Sequence, residues 1–583
     1  MSRLNKKQFG FSFVEAVIGI ALFALVSVAL VGVLISGYFD VFLAGSRQRA
    51  TLIAEEGLEA ARNIRDAGYA NLVDGTYGIG VSGNQFIFTG TSDVVDVFTR
   101  QVTISSPSAN RKLVTSTVNW IQQEGRPGSV SLSAYLTEWQ ATVANYRKGL
   151  IVYGEGGINS DTIKYRLLQD SGTWSVAQNA ADVSNLDTDR GVRGLALYSS
   201  ATRDEYILIS KHYKNTGSTQ YIYTQVYSAG VWGNVLELSS WSSGVPEQAL
   251  NFGGTYLDNG DFVLIYSDNT SVPKVRVWDG TLWSAAISLP NVGGTPSFMV
   301  VKNRPGTNEI MVAIQDSSRD TNTVYFNGSS YATGSWTLHA EHSASNTSDQ
   351  RRVVDFSWSP NNPLMGTLVY TSATSDRSVD AKVWTASGLG GGAWSSAVSS
   401  SNQPASRNVT NMNVNGRFGA DEFLTCDKDS STTPNIYCYR TTFTPAFTAA
   451  TNGSWGATDN GHQYSFGFEY EKSGNQGLIV YSDTTTIPKL KKYTSSSNAF
   501  DAAATNMTAL TAGTESVKMI PAPDNDDIMV LLADTAQNMY SIIWDGSNNT
   551  FYNSPTGWAQ TTQGTSGSSD IDQWFDFAWD LNP

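Results

Sequence analysis

Charge is scarce in this sequence. Only 15 % of its 583 residues are charged, the formal net charge is −14, and the body of the chain contains no cluster of lysines and arginines. Because a nucleic-acid-binding protein presents a basic patch to the phosphates, the sequence excludes DNA and RNA as partners. The chain is also too long for one hydrophobic core, so at least two domains are expected.

Cysteine and histidine are scarcer still, with two and four residues respectively. Zinc is excluded near the cysteines because four ligands are not on offer there. Cys426 and Cys438 fall in one predicted hairpin, either as two unpaired buried thiols or as a disulfide, and the disulfide is favoured outside the cytoplasm. His339 and His342 lie three residues apart in a predicted strand, so we expect them to point to opposite faces and to share no metal ion.

The sequence motifs of common enzymes are missing as well. There is no HExxH, no G-x-S-x-G turn and no glycine-rich phosphate loop. The sequence therefore predicts no enzymatic activity, no cofactor and no bound metal. Acidic turns at Leu257–Asp261 and Asp524–Asp527 leave a calcium alternative open, but neither has the full ligand pattern of a calcium loop, and Asx turns explain both.

One long apolar run stands near the N-terminus. Residues Met1–Gly10 are polar and include three basic residues, and the 24 residues from Ala16 to Phe39 carry no formal charge. That length crosses a bilayer as a helix, and we expect the membrane segment at about residues 13–39. A secretory signal peptide would place its cleavage site after the apolar run, whereas here the chain continues into an amphipathic pattern.

Glu15 interrupts the apolar pattern at the edge of this run. A carboxylate at membrane depth is costly and needs a partner. Cleavage between Gly10 and Phe11 would create an α-amine that pairs with it. The short basic leader, Gly10, Phe11 and Glu15 together resemble the type IV prepilin family, including minor pilins and pseudopilins. The resemblance implies a prepilin peptidase that cuts after Gly10 and N-methylates Phe11, and a role for Glu15 in filament assembly.

A small pilin-like module is expected after the membrane segment. Apolar residues spaced three and four apart predict one helix over residues 11–66, which follows a leader at residues 1–10. Strand-like runs then predict a small antiparallel sheet within residues 67–140. This α+β module resembles minor pilins and pseudopilins, and residues 141–147 are expected to link it to the remainder.

The remainder of the chain is an internal repeat. Residues 262–278 align without gaps to residues 477–493 at an offset of 215, and residues 353–362 align to residues 574–583 at an offset of 221. Apolar strand-like runs recur about 54 residues apart in eight copies, which predicts an all-β propeller of eight blades over residues 148–583. Seven blades follow instead if the copy at Ile310 or Glu422 is misread. The C-terminal strand is expected to complete the first blade.

Aromatic residues follow a turn in each repeat. Those that are tryptophans are Trp174, Trp232, Trp283, Trp336, Trp394 and Trp455. The run ending at Trp174 resembles the Asp-box of sialidase-type propellers, which implies a structural turn away from the catalytic face. The alternative is that these rings stack on sugars, as in propellers of the lectin type.

These features together predict a minor, tip or decorating subunit of a type IV pilus-like filament that displays a propeller for adhesion or ligand binding. The resemblance implies a prepilin peptidase, other pilin subunits and, before assembly, the cytoplasmic membrane as partners. Glycans or a cell surface are the expected ligands of the propeller, and the expected location is extracytoplasmic. Two alternatives stay open, namely a pseudopilin of a type II secretion-like system and a filament-displayed enzyme that acts on glycans.

Overall fold

The chain folds into two compact units, Met1–Asn145 and Tyr146–Pro583, in the computed structural model. The structure describes residues 12–581 except for 84, 109–110, 123–124, 138–147, 158–159, 170–171, 184–188, 215, 243, 247–248, 348–350, 389, 402–407, 431–433, 457–463, 484, 553–560 and 566–572.

The first unit begins with a single long helix, α1 (Phe13–Ala67). Ser12 is its N-cap and forms a capping box with Glu15, in which the Ser12 backbone N–H donates to Glu15 Oε2 at 2.9 Å. The segment Phe13–Ile35 is apolar and long enough to cross a membrane, and none of it is buried within the protein. The helix therefore presents an uncovered apolar rod with an acid at its start.

The second half of α1 packs on an antiparallel sheet. Its strands are β1 (Gly75–Ser82), β2 (Gln85–Thr89), β3 (Asp93–Val95), β4 (Phe98–Ser108), β5 (Arg111–Ile121) and β6 (Pro127–Thr137), in the order β2-β1-β4-β5-β6 with β3 paired to β4. Ala54 and Ala61 of the helix and Val102 and Val118 of the sheet are fully buried. Backbones approach closely here, because a Cβ on Gly57 would lie 2.4 Å from Ser116 Oγ.

The second unit consists of antiparallel sheets. Its strands are β7 (Gly149–Gly154), β8 (Ile163–Leu168), β9 (Gln178–Asn179), β10 (Arg190–Ser199), β11 (Glu205–Lys214), β12 (Thr219–Ser228), β13 (Val231–Trp241), β14 (Phe252–Tyr256), β15 (Phe262–Tyr266), β16 (Lys274–Trp278), β17 (Ile287–Ser288), β18 (Pro296–Asn303), β19 (Ile310–Asp316), β20 (Thr321–Phe326), β21 (Trp336–Ser343), β22 (Val354–Trp358), β23 (Met365–Tyr370), β24 (Asp380–Ala386), β25 (Gly392–Trp394), β26 (Val398–Ser399), β27 (Val409–Gly416), β28 (Glu422–Asp429), β29 (Asn435–Thr442), β30 (Thr448–Gly456), β31 (Phe466–Tyr470), β32 (Gln476–Tyr481), β33 (Lys489–Thr494), β34 (Ala499–Phe500), β35 (Thr505–Asn506), β36 (Thr514–Pro521), β37 (Ile528–Asp534), β38 (Asn538–Asp545), β39 (Thr550–Phe551), β40 (Thr561–Thr565) and β41 (Phe575–Trp579).

These strands group into eight successive sheet units that we number along the chain. Unit 1 is β41 with β7–β9, unit 2 is β10–β13, unit 3 is β14–β17, unit 4 is β18–β21, unit 5 is β22–β26, unit 6 is β27–β30, unit 7 is β31–β35 and unit 8 is β36–β40. Units 6 and 7 share one sheet through a parallel bridge between Thr451 and Ala499. In several units the fourth strand is broken into two short pieces that both pair with the third.

The ring is closed by the C-terminal strand, as the repeat pattern predicts. Strand β41 pairs antiparallel with β7, with Phe575 opposite Tyr153 and Trp579 opposite Gly149. Each innermost strand also contacts the innermost strands of both neighbouring units, and this order returns to its start. The chain thus has a β-propeller fold, and the eight described units are those that an eight-bladed ring requires.

Units that lie four apart in the ring have similar sequences. The clearest pair is IMVAIQD in β19 and IMVLLAD in β37, and β14 (FGGTY) likewise matches β31 (FGFEY). Equivalent positions in the two halves can therefore be compared, and a residue found in only one half is not required by the repeat itself.

Carboxylates near the turn between first and second strands join neighbouring units. Glu205 of unit 2 accepts hydrogen bonds from the Tyr256 hydroxyl at 3.0 Å and from Trp278 Nε1 at 3.3 Å, both in unit 3. Glu471 of unit 7 accepts one from Trp544 Nε1 of unit 8 at 2.9 Å. These buried acceptors fix the contact between adjacent sheets, because breaking them would leave polar atoms without partners.

The two cysteines form a disulfide within unit 6. Cys426 on β28 lies directly opposite Cys438 on β29, and their Cα atoms are 4.1 Å apart. Of the two interpretations left open by the sequence, the structure has the disulfide.

Candidate functional site

The innermost strands of all eight units surround one central channel. Its volume is about 440 Å³, which falls in the range of roughly 300–1,000 Å³ that is typical of small-molecule sites. Apolar residues such as Leu195 and Met519 share its wall with charged and amide side chains. The channel is thus a cavity with a small number of placed polar groups.

Two aspartates hold equivalent positions in the channel wall. Asp355 of unit 5 accepts a hydrogen bond from Val414 N of unit 6 at 3.0 Å, and Asp576 of unit 1 accepts one from Leu197 N of unit 2 at 2.8 Å. Each aspartate joins its innermost strand to the next one, and this role repeats in both halves of the ring.

Both aspartates are also neutralised by cations. Arg352 forms a salt bridge with Asp355, and Lys518 Nζ lies 2.7 Å from Asp576 Oδ1. These two ion pairs use every oxygen of the aspartates together with the backbone donors described above. They act as structural links of the ring.

Two further charged residues of the channel have no such partner among the described residues. Lys302 of unit 4 and Glu469 of unit 7 line the channel, and neither side chain makes a hydrogen bond or salt bridge there. Burial raises the pKa of Glu469 to about 8, an effect that Lys302 opposes and Asp355 reinforces. In its neutral form the Glu469 carboxyl group can both donate and accept hydrogen bonds.

Amide side chains lie on the same wall. Asn415 Nδ2 donates to the Phe468 carbonyl at 2.5 Å, and Gln573 Nε2 makes a longer contact with the Leu195 carbonyl at 3.4 Å. Asn413 also lines the channel, and its Oδ1 accepts a long contact from Asn415 Nδ2 at 3.4 Å. Each amide keeps donor or acceptor capacity that faces the cavity.

Sequence reasoning did not single out Lys302 and Glu469, although the repeat contained a signal for both. Glu469 in β31 occupies the position of Thr255 in β14, and Lys302 in β18 occupies that of Ile520 in β36. A charge on an innermost strand where the matching copy is uncharged is not required by the repeat itself.

The tryptophans that the sequence offers as sugar-stacking residues lie elsewhere. Five of the six stand opposite the end of the third strand of their unit, in the pairs Leu168–Trp174, Tyr227–Trp232, Trp278–Trp283, Phe326–Trp336 and Trp384–Trp394. None of the six lines the channel. They are not brought together in one site.

Each of these rings packs on other aromatic rings. Trp174 contacts Phe577 edge-on at 6.1 Å between centroids, Trp232 contacts Tyr165 at 5.7 Å and Trp394 contacts Trp384 at 5.2 Å. Trp336 is 4 % exposed, and the other five are partly buried in the hydrophobic clusters between sheets. Such contacts are those of structural packing, while sugar stacking stays a prediction.

Trp455 departs from the pattern of the others. It stands opposite Ile436, near the start rather than the end of the third strand of unit 6, and it packs on Tyr481 and Phe500 of unit 7. Its spacing in the sequence made it resemble the recurring turn aromatic, but its position in the sheet is different.

The expectation that His339 and His342 point to opposite faces is wrong. The pairing of β20 with β21 is irregular between Thr321 and Thr323, so that both rings contact tryptophans of unit 5. His339 packs on Trp384 at 4.7 Å and His342 on Trp394 at 4.9 Å. A strand alternation argument fails where the pairing register shifts, here by two residues in β21.

No group of three or more histidine, cysteine, aspartate or glutamate residues within the described part of the chain has the arrangement of a metal site. In the acidic turns, Asp261 accepts a hydrogen bond from the Tyr331 hydroxyl at 2.6 Å, and Asp527 accepts one from that of Tyr552 at 3.1 Å. The Asx-turn bonds are donated by the Asp261 N–H to Asn259 Oδ1 and by the Asp527 N–H to Asn525 Oδ1, both at 3.0 Å. Gly10 and Phe11 lie outside the described residues.

The free energy of unfolding is expected to fall in acid because His212 is buried. Burial, with repulsion from Arg190, lowers the pKa of His212 to about 3 from 6.5, and its Nε2 lies 2.9 Å from Ser210 Oγ. The unfolded chain takes up this proton at a higher pH than the folded chain does. The stability that is present above pH 6.5 is therefore lost as the pH falls towards 3, by at most about 1.4 kcal/mol per pH unit. Urea unfolding at pH 7.5 and at pH 5 should show that the full chain loses more free energy of unfolding between the two than His212→Gln does. Equal losses in the two proteins would contradict this.

No protein-family model matches the sequence, and no curated protein matches it. Solved structures do resemble the propeller. The BP39L lectin from Burkholderia pseudomallei is 11 % identical with a TM-score of 0.42, and the match covers 65 % of this chain and 99 % of the lectin. The periplasmic gluconolactonase PpgL from Pseudomonas aeruginosa is 8 % identical with a TM-score of 0.36, over 74 % of this chain and 99 % of that protein. At this identity the likeness concerns the fold alone.

One prediction from the sequence is corrected by these comparisons. A protein named as a 6-phosphogluconolactonase from Bacteroides uniformis also matches, at 11 % identity and a TM-score of 0.39, over 67 % of this chain and all of that one. Propellers named as lactonases thus stand beside propellers named as lectins, so the prediction that this propeller is not an enzyme is wrong as drawn. Missing sequence motifs do not exclude catalysis, because a ring assembles its site from distant strands.

Proposed function

We propose that this protein is a pilin-like subunit, anchored by α1, that displays a ligand-binding propeller outside the cytoplasm for adhesion. The observation that carries the proposal is that two features occur together in one chain. An uncovered apolar rod, Phe13–Ile35, begins at a capped acid, and a separate ring encloses a polar channel. The rod accounts for anchoring, and the channel accounts for binding.

The capping box gives Glu15 a place in this proposal. Its carboxylate accepts the Ser12 N–H, which satisfies one of the free donors at the start of α1 and favours a negative charge at that helix end. A new α-amine at Phe11, one residue before Ser12, would add a positive charge beside the same carboxylate. The resemblance to prepilins supplies the cleavage and methylation that would create it.

The test is the N-terminus of the full chain made in cells that possess a prepilin peptidase. Mass spectrometry should find a mature chain that begins at a methylated Phe11, and Gly10→Leu should keep residues 1–10. Gly19→Leu is the matched control, since nothing lies within 4 Å of a Cβ at that position, and it should be processed like the parent. A mature Phe11 terminus in Gly10→Leu, or an intact leader on surface-exposed parent protein, would refute the anchor.

Adhesion is tested with the same cells. Cells that display the parent chain should attach to surfaces coated with polysaccharide, and cells that make no such chain should not. Equal attachment of the two would refute the adhesive role without touching the result on processing.

A further inference from the structure

The charged side chains of the central channel point to the class of its ligand. Its wall contains three cations and three acids, of which Arg352–Asp355 and Lys518–Asp576 form ion pairs. The remaining two groups, on units 4 and 7, have no direct partner. A ligand that fills the channel meets these two groups.

The Lys302 ammonium group is suited to bind an anion. Its ammonium group has three donors and no acceptor, and it makes no hydrogen bond within the described part of the chain. An acid on a neighbouring strand would neutralise it, as happens at the two ion pairs of the same wall. Here the equivalent copy has Ile520, so the fold does not require a charge at this position.

Glu469 lines the same channel but forms no salt bridge with Lys302 among the described residues. Burial raises the pKa of its carboxyl group, an effect that Lys302 opposes. In its neutral form the carboxyl group is a hydrogen-bond donor and acceptor, which suits a hydroxyl group.

We propose that the channel binds a small carboxylated polyol of the size of a uronic acid, with its carboxylate on Lys302 and its hydroxyl groups on Glu469, Asn413 and Asn415. The assignment rests on the proposed ligand-binding function and gives it a substrate class and a site. The cavity of about 440 Å³ accommodates one such ring with bound water. The apolar residues of the wall lie against the carbon skeleton.

The matched probes are D-glucuronate and D-glucose, which differ in the carboxylate alone. Isothermal titration uses the full chain in a polyoxyethylene detergent, since a glycoside detergent would compete. At pH 6.5 we expect D-glucuronate to bind about tenfold or more tightly than D-glucose, the difference of one charge-assisted hydrogen bond. Lys302→Met should abolish that preference. Lys274→Met, a lysine of unit 3 paired with Asp268 outside the channel, should keep it.

The pH dependence gives an independent test. The charged groups of the wall that face Glu469 are Lys302, Arg352, Asp355, Lys518 and Asp576. Ionisation of Glu469 above about pH 8 places a second negative charge near the ligand, so affinity should fall between pH 6.5 and 9. Glu469→Gln should lose this dependence on pH.

Equal binding of D-glucuronate and D-glucose, no binding of either, or an unchanged preference in Lys302→Met would overturn the assignment. Thermal unfolding of each variant shows that it is folded, since neither residue has a structural partner to lose. Attachment of cells that display Lys302→Met separates the two proposals. If the parent attaches and the variant attaches equally well, adhesion stands and the channel assignment falls.

Discussion

A chain that ends at residue 572 is expected to lose the cooperative unfolding of the propeller. The truncation removes β41, whose pairing with β7 completes unit 1. It also removes Trp574, Phe575, Phe577 and Trp579, which are all at most 3 % exposed. Burial of four such side chains stabilises the fold by about 6–12 kcal/mol, comparable to the whole stability of a typical domain. Circular dichroism melts and limited proteolysis measure the effect.

The control for this truncation is a chain that lacks only residues 582 and 583, which leaves β41 in place. It should melt like the parent and resist protease equally. A chain ending at residue 572 that still melted in one transition at the parent temperature would show that the ring does not depend on its shared unit.

Trp384→Ala should have the second largest effect. The ring is fully buried on β24 of unit 5, and it packs on Tyr325 at 5.0 Å and His339 at 4.7 Å, both in unit 4. Truncation leaves a cavity at the contact between two units, which costs about 3–5 kcal/mol of unfolding free energy. Urea titration followed by circular dichroism gives the shift of the midpoint.

Leu338→Ala is the matched control for this substitution. Leu338 lies on β21, the strand that carries His339, and is 39 % exposed. Its truncation should change the unfolding free energy by no more than about 0.5 kcal/mol. Should both variants lose the same stability, the unit 4–unit 5 contact would not be the source of the effect.

Much of the fold was readable from the sequence because the signals are periodic. The helix expected at residues 11–66 is observed at Phe13–Ala67, and the match of residues 574–583 to an innermost strand correctly predicted the closing pair of β41 and β7. Strand-like repeats and apolar helical spacing are local properties of the chain, so they can be recognised in the sequence alone.

The channel could not be read in the same way. Lys302 and Glu469 are far apart in the sequence, and they line the same channel only because units 4 and 7 surround one axis. Trp455 is an error of another kind. Its spacing in the sequence is that of the turn aromatics, but it occupies a different register position in its sheet. Register shifts and cross-ring neighbours are long-range properties, and a single sequence does not encode them visibly.

The shared sheet of unit 1 also bears on mechanics. Tension applied through the segment that precedes Gly149 enters the ring at β7, which is paired on one side with β41 and on the other with β8. A pull along β7 loads both rows of hydrogen bonds in shear, so they resist together rather than opening one after another. Strand β7 is thereby held on both sides against a pull along its length.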